Sequence, residues 1–166
     1  MTAYLDNSAT TPVCSEAVEA MKTAVTELWG NPSSLHQKGI EADEMLENAR
    51  SNVARRLFCR DDEVYFTSGG TESNNLAVQG AAHAMRRRGR RIVTTSVEHP
   101  SIDETVKHLE NEGFEVIRLG VDKNGRISER ELFEAVTPDT ILVSIMAVNN
   151  ETGTIQPVEA ARTAVT

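Results

Sequence analysis

A chain of 166 residues that is 39% hydrophobic and 25% charged can fold as one domain with a sizeable hydrophobic core. Its net charge of −8 argues against nucleic-acid binding as the main activity, because neutralising phosphates requires a basic surface. Its two cysteines suggest neither a disulfide framework nor a metal site, and it has no secretory leader or bilayer-spanning run, so we expect a cytoplasmic protein that contacts no membrane.

The first part of the chain predicts two helices and a strand. An amphipathic helix begins at Ser15 and ends at the turn Gly30–Ser34, and a second helix runs to roughly Arg56. The β-branched and aromatic segment Glu63–Thr67 predicts a strand. The apolar residues at helical spacing in the two helices are Val18, Met21, Val25, Leu28, Ala42, Met45, Ala49 and Val53.

A third helix is predicted to end near Arg88, with Gly89 at its C′ position. Arginines close this helix, where cations complement the helix dipole. The alternative for the same cluster is an RNA or phosphate site. Its members are Arg86, Arg87, Arg88, Arg90 and Arg91.

From Arg91 onward, strands and helices alternate. The predicted strands are Arg91–Thr95, Glu115–Leu119 and Thr140–Val148, and the continuous apolar run of the last one suggests burial on both faces. The predicted helices are Ser101–Glu112, which stops at Gly113, and a short one that starts at the capping box Ser128–Glu131 and runs to Val136. This alternation predicts an α/β fold with a three-layer, mainly parallel sheet and helices on both faces.

A glycine turn joins the Glu63–Thr67 segment to the third helix. Gly69 and Gly70 allow positive φ and the close approach of a ligand. Thr71 offers a hydroxyl where unpaired N–H groups and the helix dipole favour an anion, so phosphate is the expected ligand. The alternative is an ordinary turn with Thr71 or Ser68 as N-cap. The segment matches neither the dinucleotide fingerprint nor the P-loop.

Polar residues follow three of the predicted strands, at Thr71, at His99 and at Asn149-Asn150. Ligands of parallel sheets bind outside the carboxyl ends of the strands, so we expect these residues to open onto one crevice. Each has a plainer alternative. His99 could cap or simply precede the helix begun by Pro100, and the two asparagines could be turn residues.

Five motifs in this order and at these separations resemble the N-terminal part of the cysteine desulfurases. The motifs are Tyr4–Pro12, Gly30–Ser34 with His36, Thr67–Asn75, Glu98-His99 and Val148–Gly153, and together they cover nearly all of the chain. These pyridoxal-phosphate enzymes supply sulfur for iron–sulfur clusters and thiolated cofactors. Selenocysteine lyases and class V aminotransferases are related alternatives.

The resemblance implies a fold-type-I enzyme whose large domain is incomplete here. Residues 15–166 would be the N-terminal part of the domain that binds pyridoxal phosphate. Residues 1–14 would be an N-terminal segment that in the family belongs to the small domain or the edge of the active site.

The resemblance also assigns site residues. Gly70 and Thr71 match the residues that hold the cofactor phosphate. His99 matches the histidine that stacks on the pyridine ring and helps to move protons, a task that suits the titration range of histidine. Asn150 matches the asparagine that donates to the phenolic oxygen of the cofactor. Asn7 and Asn31 receive no defined role.

The family reaction converts L-cysteine to L-alanine and passes the sulfur to an acceptor thiol as a persulfide, with pyridoxal phosphate as electron sink. It implies a sulfur-acceptor protein as partner and a homodimer. The family's covalent lysine, its ring-nitrogen aspartate, its substrate-binding arginine and its nucleophilic cysteine come later in a complete member. The lysines and cysteines present do not match those positions: Lys22, Lys38, Lys107, Lys123, Cys14 and Cys59.

The chain is therefore expected to be a truncated product, a fragment or half of a split enzyme. A helix that begins at Pro157 stops at Thr166 without a cap, and isolated helices that short are marginal. We expect the chain alone to be inactive and to offer the cofactor non-covalent contacts only. The alternative is a non-catalytic module that binds a complementary chain or a sulfur-transfer protein.

Overall fold

The structure, a computed structural model, describes residues 3–165, which divide between Phe66 and Thr67 into two units. The first unit contains the two predicted helices, α1 (Ser15–Thr26) and α2 (Gln37–Leu57). The His36 side chain caps α2 by accepting a hydrogen bond from the Gly39 N–H. The predicted division after residue 14 stays a prediction.

The predicted strand at Glu63–Thr67 is wrong. Asp61–Glu63 form a single 3-10 turn, and residues 64–67 pair with no strand in the described chain. The Val64 carbonyl instead accepts a hydrogen bond from the Arg50 guanidinium, which also lies 5.2 Å from the centre of the Phe66 ring. Composition indicates an extended backbone, but a strand also needs a neighbour to pair with, and composition does not supply one.

The second unit is built on three parallel strands. These are β1 (Arg91–Thr95), β2 (Glu115–Leu119) and β3 (Thr140–Val143), in the order β2-β1-β3. The helices of this unit are α3 (Gly70–Met85), α4 (Pro100–Asn111), α5 (Glu129–Ala135) and α6 (Val158–Ala164). The predicted alternation of strands and helices is therefore confirmed.

Helices cover both faces of this sheet, as the sequence predicts. On one face, α3 and α4 pack over Ile92 and Phe114. On the other, α5 and α6 pack near Val93 and Leu119. Ile92 and Val93 are fully buried neighbours on β1 that point to opposite faces, so the strand joins the two hydrophobic clusters.

β3 differs from its prediction in length and burial. It ends at Val143 rather than Val148, and its four residues are half-buried rather than covered on both faces. The Ser144 N–H donates to Val93 O at 2.9 Å, after which the Met146 N–H turns to the Glu98 carboxylate. The apolar run indicated a tendency to be buried. Beyond Ser144, however, the backbone hydrogen-bonds to the Glu98 side chain rather than to a neighbouring strand.

Gly89 is not the C′ residue of α3, which ends at Met85, and its φ lies outside the left-handed region. Gly89 is instead a point of close approach. A Cβ at this position would lie 2.2 Å from the carbonyl oxygen of Asp139, which also accepts a hydrogen bond from the Arg91 N–H at 3.1 Å. Glycine is therefore required by packing rather than by a turn.

The arginine cluster at the end of α3 is partly structural. Arg90 donates to the Gly113 carbonyl at 3.2 Å, and the Arg91 guanidinium pairs with the Glu115 carboxylate at 2.9 Å. Both contacts fasten the start of β1 to the start of β2. None of the helices within residues 3–165 has the length and apolarity needed to cross a bilayer.

We predict that Gly89→Ala destabilises the fold by about 1–3 kcal/mol, because the new methyl group would overlap the Asp139 carbonyl. Gly80→Ala is the matched control, since a Cβ there meets nothing within 4 Å and alanine favours the helix. Urea denaturation measures both free energies of unfolding. Equal stability of the two variants would contradict the close approach at Gly89.

Candidate functional site

The two glycines before α3 leave open space at its N-terminus. Gly69 has an extended backbone with φ of 163°, and Gly70 begins the helix, so neither glycine adopts the left-handed conformation that glycine allows. A Cβ on either glycine would meet nothing within 4 Å. The described chain itself therefore does not require glycine at these two positions, and the space in front of them is open to a ligand.

The N-terminus of α3 also has unpaired donors. No side chain caps the helix, and its N-cap residue is Gly69. The alternative prediction of Thr71 or Ser68 as N-cap is therefore wrong. The first intrahelical hydrogen bond runs from the Ser73 N–H to Gly69 O at 3.1 Å, which leaves the N–H groups of Gly70 and Thr71 without a partner in the helix. These donors, with the helix dipole behind them, can bind an anion.

Ser68 is occupied by a different contact. Its hydroxyl and its N–H donate to the Glu72 carboxylate at 2.6 and 2.7 Å, and these bonds hold the pKa of Glu72 below its usual value. The Thr67 hydroxyl lies 2.6 Å from that of Ser73. The turn is thus held by side chains that flank the glycines, which leaves the N–H groups of the first helical residues available.

His99 caps α4, as its plainer alternative proposed. Its Nδ1 accepts a hydrogen bond from the Ser101 N–H at 3.1 Å and lies 2.8 Å from the Ser101 hydroxyl. Pro100 occupies the first turn of the helix, where its missing N–H costs nothing. Because His99 is exposed, the ring can serve as a cap and still contact a ligand.

Side chains of α3 and α4 join across the groove between the two helices. Asn74 donates to the Ser101 hydroxyl at 2.8 Å, and the Thr105 hydroxyl donates to Asn75 Oδ1 at 2.8 Å. Asn75 in turn donates to Thr71 O at 2.8 Å. These bonds fix the helix that carries Thr71 relative to the helix that His99 caps.

Thr71 and His99 line one groove of about 420 Å³. Two of the three predicted junctions therefore come together. Asn150 is not among the residues that line this groove; it is exposed on the turn that follows β3. Its neighbour Asn149 is buried, and the Asn149 Oδ1 accepts the N–H groups of Glu151 and Thr152, each at 2.9 Å, which is the turn role that the sequence offered as an alternative.

Two side chains tie the His99 junction to the Asn150 junction. Glu98 accepts hydrogen bonds from the Thr95 hydroxyl and the Met146 N–H, both at 2.9 Å. Asn149 donates to Val97 O at 3.1 Å. Burial raises the pKa of the Glu98 carboxyl, while the bonds from Met146 and Thr95 oppose the rise.

The structure also identifies supporting residues that the sequence analysis assigned no role. Glu98, Asn74 and Ser101 all lie within or beside the motifs, and this adjacency was the signal available. Their partners are distant in sequence, so no local pattern could pair them. Within residues 3–165, no group of three His, Cys, Asp or Glu side chains is arranged to hold a metal ion.

Comparisons with known proteins agree with the motifs. Residues 3–165 match the family model described as Aminotransferase class-V. A NifS/IcsS protein homolog of Lactobacillus delbrueckii subsp. bulgaricus is 54% identical over 94% of this chain and 40% of its own length. Cysteine desulfurase IscS of Methanosarcina thermophila is 51% identical over 94% of this chain and 39% of its own length.

Solved structures give the same picture. A NifS-like protein superposes with a TM-score of 0.92 at 45% identity, over 99% of this chain and 45% of that one. The structure of SspA in complex with cysteine gives 0.89 at 36% identity, over 99% of this chain and 47% of that one. The chain spans about 40% of the length of the curated relatives described above.

We predict a pH dependence for Glu98→Gln, which keeps an acceptor for Met146. The raised pKa of Glu98 means that its carboxyl favours the fold while protonated, and this contribution is lost as pH rises above 4.5 through the folded-state pKa. The variant should therefore gain stability relative to wild type between pH 4.5 and neutrality. Urea denaturation across this range measures the difference in the free energy of unfolding. If the wild type instead became more stable relative to the variant as pH rises, the burial of the carboxyl would be contradicted.

Proposed function

Because the chain belongs to the class-V aminotransferase family, we propose that it forms the cofactor-binding N-terminal part of a cysteine desulfurase. The observation that carries the proposal is the uncapped N-terminus of α3, with open space before Gly69 and Gly70. A phosphate dianion fits this site, since it needs several donors and no bulky side chain in front of them.

The residues present suit pyridoxal phosphate in more than the phosphate site. The N–H groups of Gly70 and Thr71 would bind the phosphate, and the Thr71 hydroxyl would add a third donor. His99, on the same groove as Thr71, would stack on the pyridine ring. Asn150 would donate its amide to the phenolic oxygen. When bound, the cofactor supplies an electron sink for the substrate carbon.

The substrate follows from the relatives. We assign L-cysteine, which would leave as L-alanine while its sulfur passes to an acceptor protein as a persulfide for iron–sulfur cluster or thiocofactor synthesis. Support comes from the relatives named cysteine desulfurase and from the SspA structure, which is described as a complex with cysteine. The same assignment implies a homodimer. It also implies a cytoplasmic setting, since a reducing compartment keeps acceptor thiols free.

The contacts of this chain to the cofactor would be non-covalent. Lys107 is engaged by Asp103 and Glu104, both at 2.7 Å, and Lys38 by Glu41 at 2.9 Å. None of the chain's lysines matches the family's covalent position, and neither cysteine matches its nucleophile. Turnover would then need residues that these 166 positions do not provide.

We predict that Gly70→Ala weakens the binding of pyridoxal phosphate without destabilising the fold. Alanine should leave the fold intact, because a Cβ at this position meets nothing within 4 Å. The same methyl group would stand in the phosphate site and weaken binding of pyridoxal phosphate roughly tenfold or more, as expected for a lost hydrogen bond to a charged group.

Fluorescence titration with pyridoxal phosphate, and with pyridoxal as the ligand without phosphate, measures this effect. Gly80→Ala, in the interior of the same helix, should also keep the fold intact and bind as wild type does. Equal affinity of Gly70→Ala and Gly80→Ala for pyridoxal phosphate would overturn the phosphate site.

We further predict that borohydride fixes no pyridoxal phosphate onto a specific lysine of this chain, and that the chain alone releases neither sulfide nor alanine from L-cysteine. Peptide mass spectrometry of the reduced mixture and a sulfide assay measure the two outcomes. A single stoichiometric adduct, or turnover that depends on His99, would contradict the proposal that the chain alone is inactive.

A further inference from the structure

The hydrogen bonds of His99 determine which ring nitrogen carries the proton. A neutral imidazole has one N–H and one acceptor nitrogen. The Ser101 backbone N–H can only donate, and it points at His99 Nδ1 at 3.1 Å. Nδ1 is therefore the acceptor in the neutral ring, and the proton belongs on Nε2.

The hydroxyl of Ser101 reinforces this arrangement. It is buried, lies 2.8 Å from His99 Nδ1 and accepts a hydrogen bond from Asn74 Nδ2 at 2.8 Å. An amide NH₂ can only donate, so the hydroxyl must use its own proton on Nδ1. The chain of donors runs from Asn74 on α3 through Ser101 to His99.

We propose that Asn74 and Ser101 are positioning residues that hold neutral His99 in the Nε2–H tautomer. The inference rests on the proposed function for the role of His99 beside a ligand. It adds that His99 meets the ligand as a proton donor at Nε2. The N–H groups proposed to bind phosphate and Asn74 share α3, so the proposed anion site and the donor that orients the Ser101 hydroxyl belong to one helix.

The charged groups around His99 do not oppose this tautomer. Glu104 and His108 line the same groove, but Glu104 pairs with Lys107 at 2.7 Å and His108 with Glu112 at 3.0 Å. The adjacent Glu98 carboxylate is bound to Thr95 and Met146. Among residues 3–165, no carboxylate forms a hydrogen bond with His99 that would favour a proton on Nδ1.

Nitrogen-15 NMR of the whole 166-residue chain tests the tautomer directly, without cofactor. With ¹⁵N-histidine label and a pH above the titration range, long-range ¹H–¹⁵N spectra distinguish protonated from unprotonated ring nitrogens. Comparison with His99→Asn assigns the signal among the four histidines. We expect an unprotonated Nδ1 and a protonated Nε2. A protonated Nδ1 would overturn the proposal.

Two substitutions at one position test the polarity of the donor chain. The carboxylate of Asn74→Asp would accept the Ser101 hydroxyl proton and remove it from His99, so the excess of the Nε2–H tautomer should fall roughly fivefold, as for the loss of one net hydrogen bond. Asn74→Ala removes the donor that orients the Ser101 hydroxyl without adding an acceptor, so it should reduce the excess of the Nε2–H tautomer by less than Asn74→Asp does. Equal effects of the two variants would remove Asn74 from the proposal.

Ser101 is tested in the same way. Ser101→Ala should reduce the tautomer excess, and Ser101→Thr, which keeps a hydroxyl, should restore it. Circular dichroism checks that each variant folds. If a variant does not fold, the ¹H–¹⁵N spectrum of the wild-type chain still decides the tautomer. Pyridoxal-phosphate binding by a chain with Nδ1–H would refute this inference alone, while failure to bind, with Nε2–H observed, would refute the proposed function alone.

Discussion

β1 hydrogen-bonds to a strand on each of its edges, and the geometry of the second unit depends on this double pairing. Its buried residues Ile92 and Val93 anchor the two hydrophobic clusters, so the helices on both faces are positioned by one strand. The chain leaves β1 directly into the turn that carries Glu98 and His99. The end of this central strand therefore fixes the position of Glu98 and His99 in the candidate site.

The site is held mainly by polar contacts, whereas the core is held by apolar burial. Glu98 and Asn149 connect the end of β1 to the segment after β3, and Asn74 connects α3 to α4 through Ser101. Burial of the Glu98 carboxyl carries a cost in desolvation, and this cost raises its pKa. Such a cost beside a candidate site is typical of proteins that give up some stability for fixed geometry.

Much of the fold could be predicted from the sequence, because periodicity reflects which face of an element is buried. The strands at β1 and β2 and the helices α2 and α4 follow their patterns closely. The strand expected at Glu63–Thr67 failed because pairing depends on a neighbour, and Gly89 was misjudged because a close approach leaves the same sequence signal as a turn.

The candidate site could be predicted only in part. The motifs located Thr71 and His99, and the structure places both on one groove. The residues that orient His99 were missed, because Asn74 and Ser101 are 27 positions apart and only the packing of α3 on α4 brings them together. The functional roles of Gly70, Thr71, His99 and Asn150 stay predictions.

The bonds that close the site also have a consequence for the order of folding. Val97 and Asn149 are 52 positions apart, and Glu98 and Met146 are 48 apart, so both bonds close long loops. Closing such loops carries an entropic cost that is recovered only after β1 and β3 have paired. The turn that carries Asn150 should therefore become ordered late in folding. Its amides should also exchange with solvent through local opening, well before the central strand unfolds.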